Sequence, residues 1–289
     1  MRSRSARGAA AGAALAALAS LAAGAAAPGP TPVPGRSFVI VQPSGPKDLK
    51  TVGPYINSFL AYLEGRAGLP AGAFKAFYFP SLEKGEKALS EKKPGFVMPT
   101  LGLYIKHRSA LGLHALVRIE VEGKAEAGWQ LVGLGPAAAP VAAPAALAGK
   151  RLAWTGFDDA AFVSKVLLDG ALDRFTVAVV PQPVAAVRAV LEGTADLALL
   201  SGADLAAARK LPGGDKLVVV WSAPPVPNPP VASIAGVASA PDAAAVRDAL
   251  LGMCGDTVKG GKGICDEFHI TRFSAVTDAT YDAVAAKMK

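Results

Sequence analysis

The spacing of apolar residues between positions 151 and 221 predicts strands and helices in alternation. Short apolar or β-branched runs indicate strands, and apolar residues three or four positions apart indicate helices. Strands are expected at 151–155, 175–180, 197–200 and 217–221, and helices at 158–168, 184–191 and 203–210. Strands that alternate with helices of about ten residues form right-handed crossovers and a mainly parallel sheet. This part of the chain is therefore predicted to be an α/β unit.

The flanking segments show the same two kinds of pattern. Strands are predicted at 38–42, 74–79, 95–98, 113–121 and 129–134, and helices at 51–65, 81–92, 242–253 and 281–288. Pro54 is expected in the first turn of its helix, where a missing N–H group is tolerated. The outer part is therefore also α/β, but it comes from two separated stretches of sequence.

Two proline-rich segments, 135–146 and 223–230, bracket the inner unit. Such segments favour an extended, semi-rigid backbone and are suited to connectors. We therefore predict a two-lobe α/β fold, in which each lobe is a mixed, mainly parallel sheet flanked by helices and two crossover strands form the hinge. The first lobe is assigned residues 37–138 and 226–289, and the second lobe residues 139–225.

The first 27 residues have the pattern of a secretory signal peptide. Arg2, Arg4 and Arg7 precede an apolar stretch, and small residues follow at 24–27. A membrane anchor is the alternative, but the apolar stretch is short and weakly hydrophobic. Residues 28–36 form a proline-rich spacer. We expect a periplasmic protein with no stable membrane insertion after the signal is cleaved.

Composition and charge narrow the function classes. The 289 residues include 30 Lys and Arg against 23 Asp and Glu, a net charge of +7 that falls to +4 without the signal peptide. This scattered excess does not predict nucleic acid binding. Cys254 and Cys265 are the only cysteines, and in an oxidising compartment they predict one disulfide. His269 is the sole further metal ligand near them, so neither a metal nor another cofactor is expected.

Candidate binding residues follow from the ends of the predicted strands. Ligands of open α/β sheets bind there because turns and helix N-termini expose N–H groups, and hinge closure then buries a small solute between the lobes. The residues expected to line this cleft are Gln42, Ser44, Pro99, Thr100, Trp154, Thr155, Gly156, Phe157 and Ser201. Serine and threonine also form turns and caps, and Trp154 and Trp221 suit a packed core as well as an aromatic wall. The sequence alone does not decide between ligand contact and a structural role for these residues.

Motifs typical of enzymes do not occur in the sequence. His107, His114 and His269 belong to no H-E-x-x-H pattern, and no G-x-S-x-G pattern is present. The glycine-rich segment 259–263 lacks the spacing of lysine and hydroxyl that a phosphate-binding loop needs. A binding protein is therefore expected rather than an enzyme.

Four segments carry a resemblance to a known family. They are LAGKRLA at 147–153, GTADLA at 193–198, the segment 216–222 with the prolines that follow it, and the segment 263–281. In order and spacing they resemble the type II periplasmic solute-binding proteins, in particular the phosphate/phosphonate-binding branch of ABC transporter receptors. The resemblance implies an exported receptor that captures a small, phosphonate-like oxyanion and delivers it to an ABC permease. We expect the receptor to be a monomer.

One turn departs from that branch where the ligand should be recognised. The branch has a turn rich in Ser and Thr after the first strand of the second lobe, whereas this chain has one hydroxyl and two acids in 154–159. Asp158 is predicted to cap the next helix, with Asp159 in its first turn; a carboxylate facing the cleft would instead repel an anion. The ligand class therefore stays open. The alternatives are a bilobal, lyase-like enzyme acting on a small carboxylate, and a non-transport envelope protein that retains the fold.

Overall fold

A computed structural model describes residues 35–43, 45–135 and 139–289. The strands are β1 (Ser37–Val41), β2 (Lys75–Phe79), β3 (Phe96–Met98), β4 (Leu113–Val121), β5 (Glu126–Ala127), β6 (Trp129–Leu134), β7 (Arg151–Trp154), β8 (Thr176–Val179), β9 (Leu197–Ser201), β10 (Leu217–Ser222), β11 (Val226–Pro227), β12 (Pro230–Ile234) and β13 (Ile270–Ala275). The helices are α1 (Leu49–Ala67), α2 (Leu82–Lys92), α3 (Leu101–Leu111), α4 (Ala160–Phe162, continued by a π-helical turn to Leu167), α5 (Pro183–Leu191), α6 (Gly202–Ala208), α7 (Ala240–Met253), α8 (Gly261–Glu267) and α9 (Asp282–Met288). The predicted signal peptide and most of the spacer lie outside the described residues.

The first lobe is built on a six-stranded sheet in the order β13-β4-β12-β3-β1-β2. Strand β1 pairs in parallel with β2 and β3, whereas β12 pairs antiparallel with β3 and β4. Neighbouring residues of a strand face opposite sides of a sheet. Phe38 accordingly packs with α1, α7 and α8, and Val39 with α2, α3 and α9. Both faces of this sheet are therefore covered by helices.

The second lobe is built on a five-stranded sheet in the order β10-β6-β9-β7-β8. Helices α5 and α6 cover one face through a cluster that includes Val187 and Leu205. On the other face, Phe162 and Val166 of the α4 segment join the same apolar cluster as Leu103 and Tyr104 of α3 in the first lobe. One continuous apolar cluster therefore connects the two lobes.

The boundary between the lobes lies earlier in the chain than the sequence analysis placed it. Residues 129–134 were assigned to the first lobe, but β6 pairs with β9 and β10 of the second sheet. The two segments that cross between the lobes are β5 and β11, which pair antiparallel with each other through Glu126–Ala127 and Val226–Pro227. The first proline-rich segment, 135–146, follows β6 and therefore belongs to the second lobe. Its proline content alone led to its prediction as a connector between the lobes.

One further expectation needs correction, and two elements were not predicted. Pro54 lies in the second turn of α1, because Asp48 caps that helix by accepting a hydrogen bond from the Lys50 N–H (2.9 Å). Helix α3 was not predicted, because its first five residues, 101–105, are all buried and give no alternation of apolar and polar positions. Strand β12 was also not predicted, because prolines precede and begin it. No helix in the three described ranges is long and apolar enough to cross a membrane.

The predicted disulfide is confirmed. Cys254 follows the end of α7 and Cys265 lies in α8, with a Cα–Cα distance of 5.4 Å. Cys265 is buried against the cluster formed by α1, α7 and the first sheet. The bond therefore attaches the short helix α8 to the first lobe.

Removing this disulfide is expected to destabilise the protein. The closed loop spans 11 positions, so its loss should lower the free energy of unfolding by about 3 kcal/mol through the entropy of the unfolded chain. Urea unfolding of the double variant Cys254→Ser/Cys265→Ser measures the change. Adding a reductant should shift the wild type toward the variant and leave the variant unchanged. Coinciding transitions of wild type and variant under oxidising conditions would contradict the prediction.

Candidate functional site

The start of α3 and the start of α4 meet where the two lobes face each other. Helix α3 follows the end of β3, and the turn before α4 follows the end of β7. A Cβ atom on Gly102 of α3 would lie 2.4 Å from Asp158 Oδ1 and 2.7 Å from the Cβ of Phe162. Only a glycine at position 102 therefore allows the lobes to approach this closely.

Asp158 makes the principal polar contact between the lobes. Its Oδ1 accepts hydrogen bonds from the Thr100 hydroxyl (2.6 Å) and the Asp159 N–H (2.8 Å), and its Oδ2 accepts one from the Gly102 N–H (2.9 Å). The side chain is buried. The N-terminus of a helix carries partial positive charge and free N–H groups, which favour an anion. In this conformation the protein's own carboxylate fills that anion position on α3.

Burial raises the pKa of Asp158 to about 6. The hydrogen bonds from Thr100, Gly102 and Asp159 act in the opposite direction because they stabilise the charged form, and the nearby Asp159 carboxylate adds a smaller upward effect. The net effect is a carboxyl group that gains its proton in mildly acidic solution while it holds the lobes together.

The helix cap is Asp159, not Asp158 as predicted. Asp159 Oδ1 accepts hydrogen bonds from the N–H groups of Ala161 (2.8 Å) and Phe162 (3.3 Å). Its Oδ2 lies 3.6 Å from Lys106 Nζ of α3, which adds a second charged contact between the lobes. The two adjacent acids therefore divide the roles, one capping its own helix and the other capping α3 across the interface.

Three aromatic residues pack beside this contact. The rings of Trp129 and Phe157 are stacked with centroids 3.8 Å apart, and Trp154 meets Phe157 edge-on at 5.7 Å. Trp154 is buried, and its Nε1–H has no hydrogen-bond partner among the described residues. Trp221 is also buried and belongs to the same apolar cluster. Sequence reasoning missed Trp129 because it assigned that strand to the other lobe.

The remaining predicted residues are distributed between local structure and exposed positions. Ser201 caps α6: its hydroxyl donates to Asp204 Oδ2 (2.6 Å) and accepts from the Asp204 N–H (3.1 Å). Gly156 has φ +60°, a left-handed conformation that favours glycine, and Thr155 beside it is half-buried. Their contact with a ligand stays a prediction. Ser44 lies outside the described residues.

Gln42 and Pro99 border a cavity of about 330 Å³ in the first lobe. Gln42 is exposed at the end of β1, and Pro99 is buried directly before Thr100. Tyr78 also lines the cavity, and its hydroxyl donates to the Pro46 carbonyl (3.0 Å). Of the predicted residues, Gln42 and Pro99 thus lie together at this cavity. Thr100 hydrogen-bonds to Asp158, which follows Phe157 in the chain, and the Phe157 ring packs against Trp154.

A comparison with protein families identifies the fold and its receptor class. The model of the family described as "ABC transporter, phosphonate, periplasmic substrate-binding protein" matches residues 55–281. The chain belongs to this family. Membership confirms the resemblance seen in the sequence and places the chain among transport receptors that bind a solute. No curated protein matches the chain.

Solved structures support the same fold at low sequence identity. A Xanthomonas citri protein bound to chloride has 16% identity and a TM-score of 0.70, covering 88% of this chain and 97% of its own. PhnD1 of Prochlorococcus marinus, in complex with methylphosphonate, has 12% identity and a TM-score of 0.65, covering 88% and 97%. A binding protein component of an ABC phosphonate transporter from Pseudomonas aeruginosa has 12% identity and a TM-score of 0.64, covering 88% and 86%. The predicted two-lobe type II fold is confirmed.

The raised pKa of Asp158 predicts a specific pH dependence of stability. The folded protein keeps this proton up to a pH of about 6, whereas an unfolded aspartate loses it near pH 4. The contribution of Asp158 is therefore fully present below about pH 4 and is lost as the pH rises to about 6. The free energy of unfolding of the wild type, relative to Asp158→Asn, should fall by up to about 3 kcal/mol over that interval.

Urea unfolding of both proteins between pH 4 and pH 7.5 measures this difference, and Asp158→Asn removes the titrating group while keeping its shape. A difference that does not vary with pH would show that the carboxyl group is not buried as described.

Proposed function

We propose that the protein is an exported receptor that captures a small solute between its lobes and delivers it to an ABC permease. The observation that carries this proposal is the geometry of the crossing: β5 and β11 are the paired segments between two sheets, and the strand ends at Thr100 and Asp158 face each other. Such a crossing permits hinge motion about a few residues. Binding is reversible, and no bond in the solute is made or broken.

Export follows from the amino-terminal sequence. Residues 1–27 act as a cleaved signal peptide, and residues 28–36 are the proline-rich spacer that follows it. The receptor works in the periplasm as a monomer. The family to which the chain belongs supports the location, because its members are periplasmic substrate-binding proteins.

An oxyanion is the solute class that the relatives support, since the Prochlorococcus marinus protein was solved with methylphosphonate. In the closed conformation described above, an oxyanion could reach the Thr100 hydroxyl and the Gly102 N–H only after Asp158 has moved away. We therefore propose that Asp158 competes with the solute for the start of α3. The carboxylate keeps the empty receptor closed, and the solute replaces it.

Removing this carboxylate should open the receptor. Asp158→Ala deletes the acceptor of two hydrogen bonds from the first lobe, so the radius of gyration measured by X-ray scattering should increase. Gly102→Ala should act in the same direction, because its Cβ would lie 2.4 Å from Asp158 Oδ1 and would push the lobes apart. Asp204→Ala is the matched control, since Asp204 hydrogen-bonds to Ser201 at the start of α6, within the second lobe.

Addition of methylphosphonate should return Asp158→Ala to the radius of the wild type. If Asp158→Ala expands and methylphosphonate does not compact it again, the proposed hinge motion stands and methylphosphonate is rejected as the solute. An unchanged radius in both Asp158→Ala and Gly102→Ala would mean that the lobes do not separate, which would reject the receptor and favour a permanently closed envelope protein.

A further inference from the structure

The 330 Å³ cavity of the first lobe is distinct from the contact between the lobes. It lies between α1, α8 and the six-stranded sheet, near the ends of β1 and β3. Every described residue that lines it falls outside the range 129–222, which forms the second sheet. We propose that this cavity is a binding site for a small, uncharged, mainly apolar molecule with one hydrogen-bonding end. The proposal goes beyond the solute-receptor function and does not rest on it.

The inner wall of the cavity is apolar and belongs to the core. Phe59 of α1, Met253 at the end of α7 and Phe273 of β13 are all buried and line it. Protein interiors are otherwise packed to about the density of organic crystals, with few voids larger than a water molecule. An apolar cavity of this volume is poorly suited to water, which needs two to four polar partners, and is well suited to an apolar molecule.

The border of the cavity is aromatic and partly accessible. Tyr55 and Phe268 are 36% and 42% exposed, and their rings pack edge to face with centroids 5.5 Å apart. Both residues also line the cavity. Large side chains that are partly in solvent and partly on a cavity wall can shift to admit a ligand without disturbing the buried core.

The polar groups of the cavity determine the kind of head group. The polar side chains on the described lining are those of Gln42, Tyr55 and Tyr78, and none of the described lining residues carries a charge. The Gln42 amide can donate to or accept from a neutral hydroxyl or amide, and the Tyr78 hydroxyl, whose proton is donated to the Pro46 carbonyl, can accept. A carboxylate or phosphonate would lose its water without gaining a counter-ion, which is strongly unfavourable. The site should therefore distinguish neutral from charged ligands of the same shape.

The volume sets the size of the ligand. A cavity of about 330 Å³ corresponds to about eleven water molecules at about 30 Å³ each. It also lies at the lower end of the range, about 300 to 1,000 Å³, that is usual for small-molecule pockets. A ligand of roughly ten to twelve non-hydrogen atoms fits this space. An alkylphenol such as 4-butylphenol has this size, an apolar body and one neutral hydroxyl group.

Isothermal titration of the purified protein with 4-butylphenol tests the site. We expect one molecule bound per chain, and at least tenfold weaker binding of 4-butylbenzoate, which has a similar body and a charged head. Ile56→Phe should weaken 4-butylphenol binding at least tenfold, because Ile56 of α1 lines the cavity. Leu60→Phe is the matched control: it lies on the same helix, is also half-buried, does not line the cavity and undergoes the same change of size.

A second variant distinguishes a filled cavity from a misfolded protein as the cause of lost binding. Ile119→Phe fills the cavity from β4, on the opposite wall, and should also weaken binding; thermal unfolding establishes that each variant is folded. Asp204→Ala should leave the affinity within twofold of the wild type, because Asp204 belongs to the second lobe and none of the described residues that line the cavity does. The proposal is overturned if the folded wild type does not bind 4-butylphenol, if 4-butylbenzoate binds equally well, or if both filled variants bind as the wild type does.

Discussion

The polar contact between the two lobes centres on one carboxylate at the start of a helix. The first N–H groups of α3 have no partner within the helix, and Asp158 of the other lobe supplies an acceptor to Gly102. The same carboxylate loses most of its contact with water, which opposes its charge and raises its pKa. A buried charge is retained only with such hydrogen bonds, so the burial of Asp158 depends on the groups that α3 and Thr100 supply.

The fold relates the chain to its family, and the Asp158 contact bears on which solute can bind. The two sheets, the paired crossing segments and the match over residues 55–281 are those of a solute receptor. In this chain, however, the position on α3 that favours an anion already holds an acid of the protein. An oxyanion could therefore reach the Thr100 hydroxyl and the Gly102 N–H only by displacing Asp158. The apolar cavity of the first lobe has the opposite chemistry, since its described lining carries no charge.

Much of the fold follows from local patterns in the sequence. The strands of the second sheet have alternating or continuous apolar runs, and each lies close to its predicted position. The patterns failed where burial is uniform or where prolines occur in a strand: residues 101–105 of α3 are buried on all sides, and β12 begins with Pro230. Strand β6 was correctly predicted as a strand, but its partners β9 and β10 are distant in sequence. Local periodicity contains no information about such pairing.

The sequence by itself determined the α/β class, the two connected lobes, the cysteine pair and the importance of the turn at 154–159. These features depend on the order of residues along the chain, because helix and strand periods and proline content are local properties. Only the tertiary structure decided which acid caps a helix and which one crosses to the other lobe. That choice depends on the distance between Asp158 and an N–H group 56 positions away, and such a distance is set by how the two sheets pack.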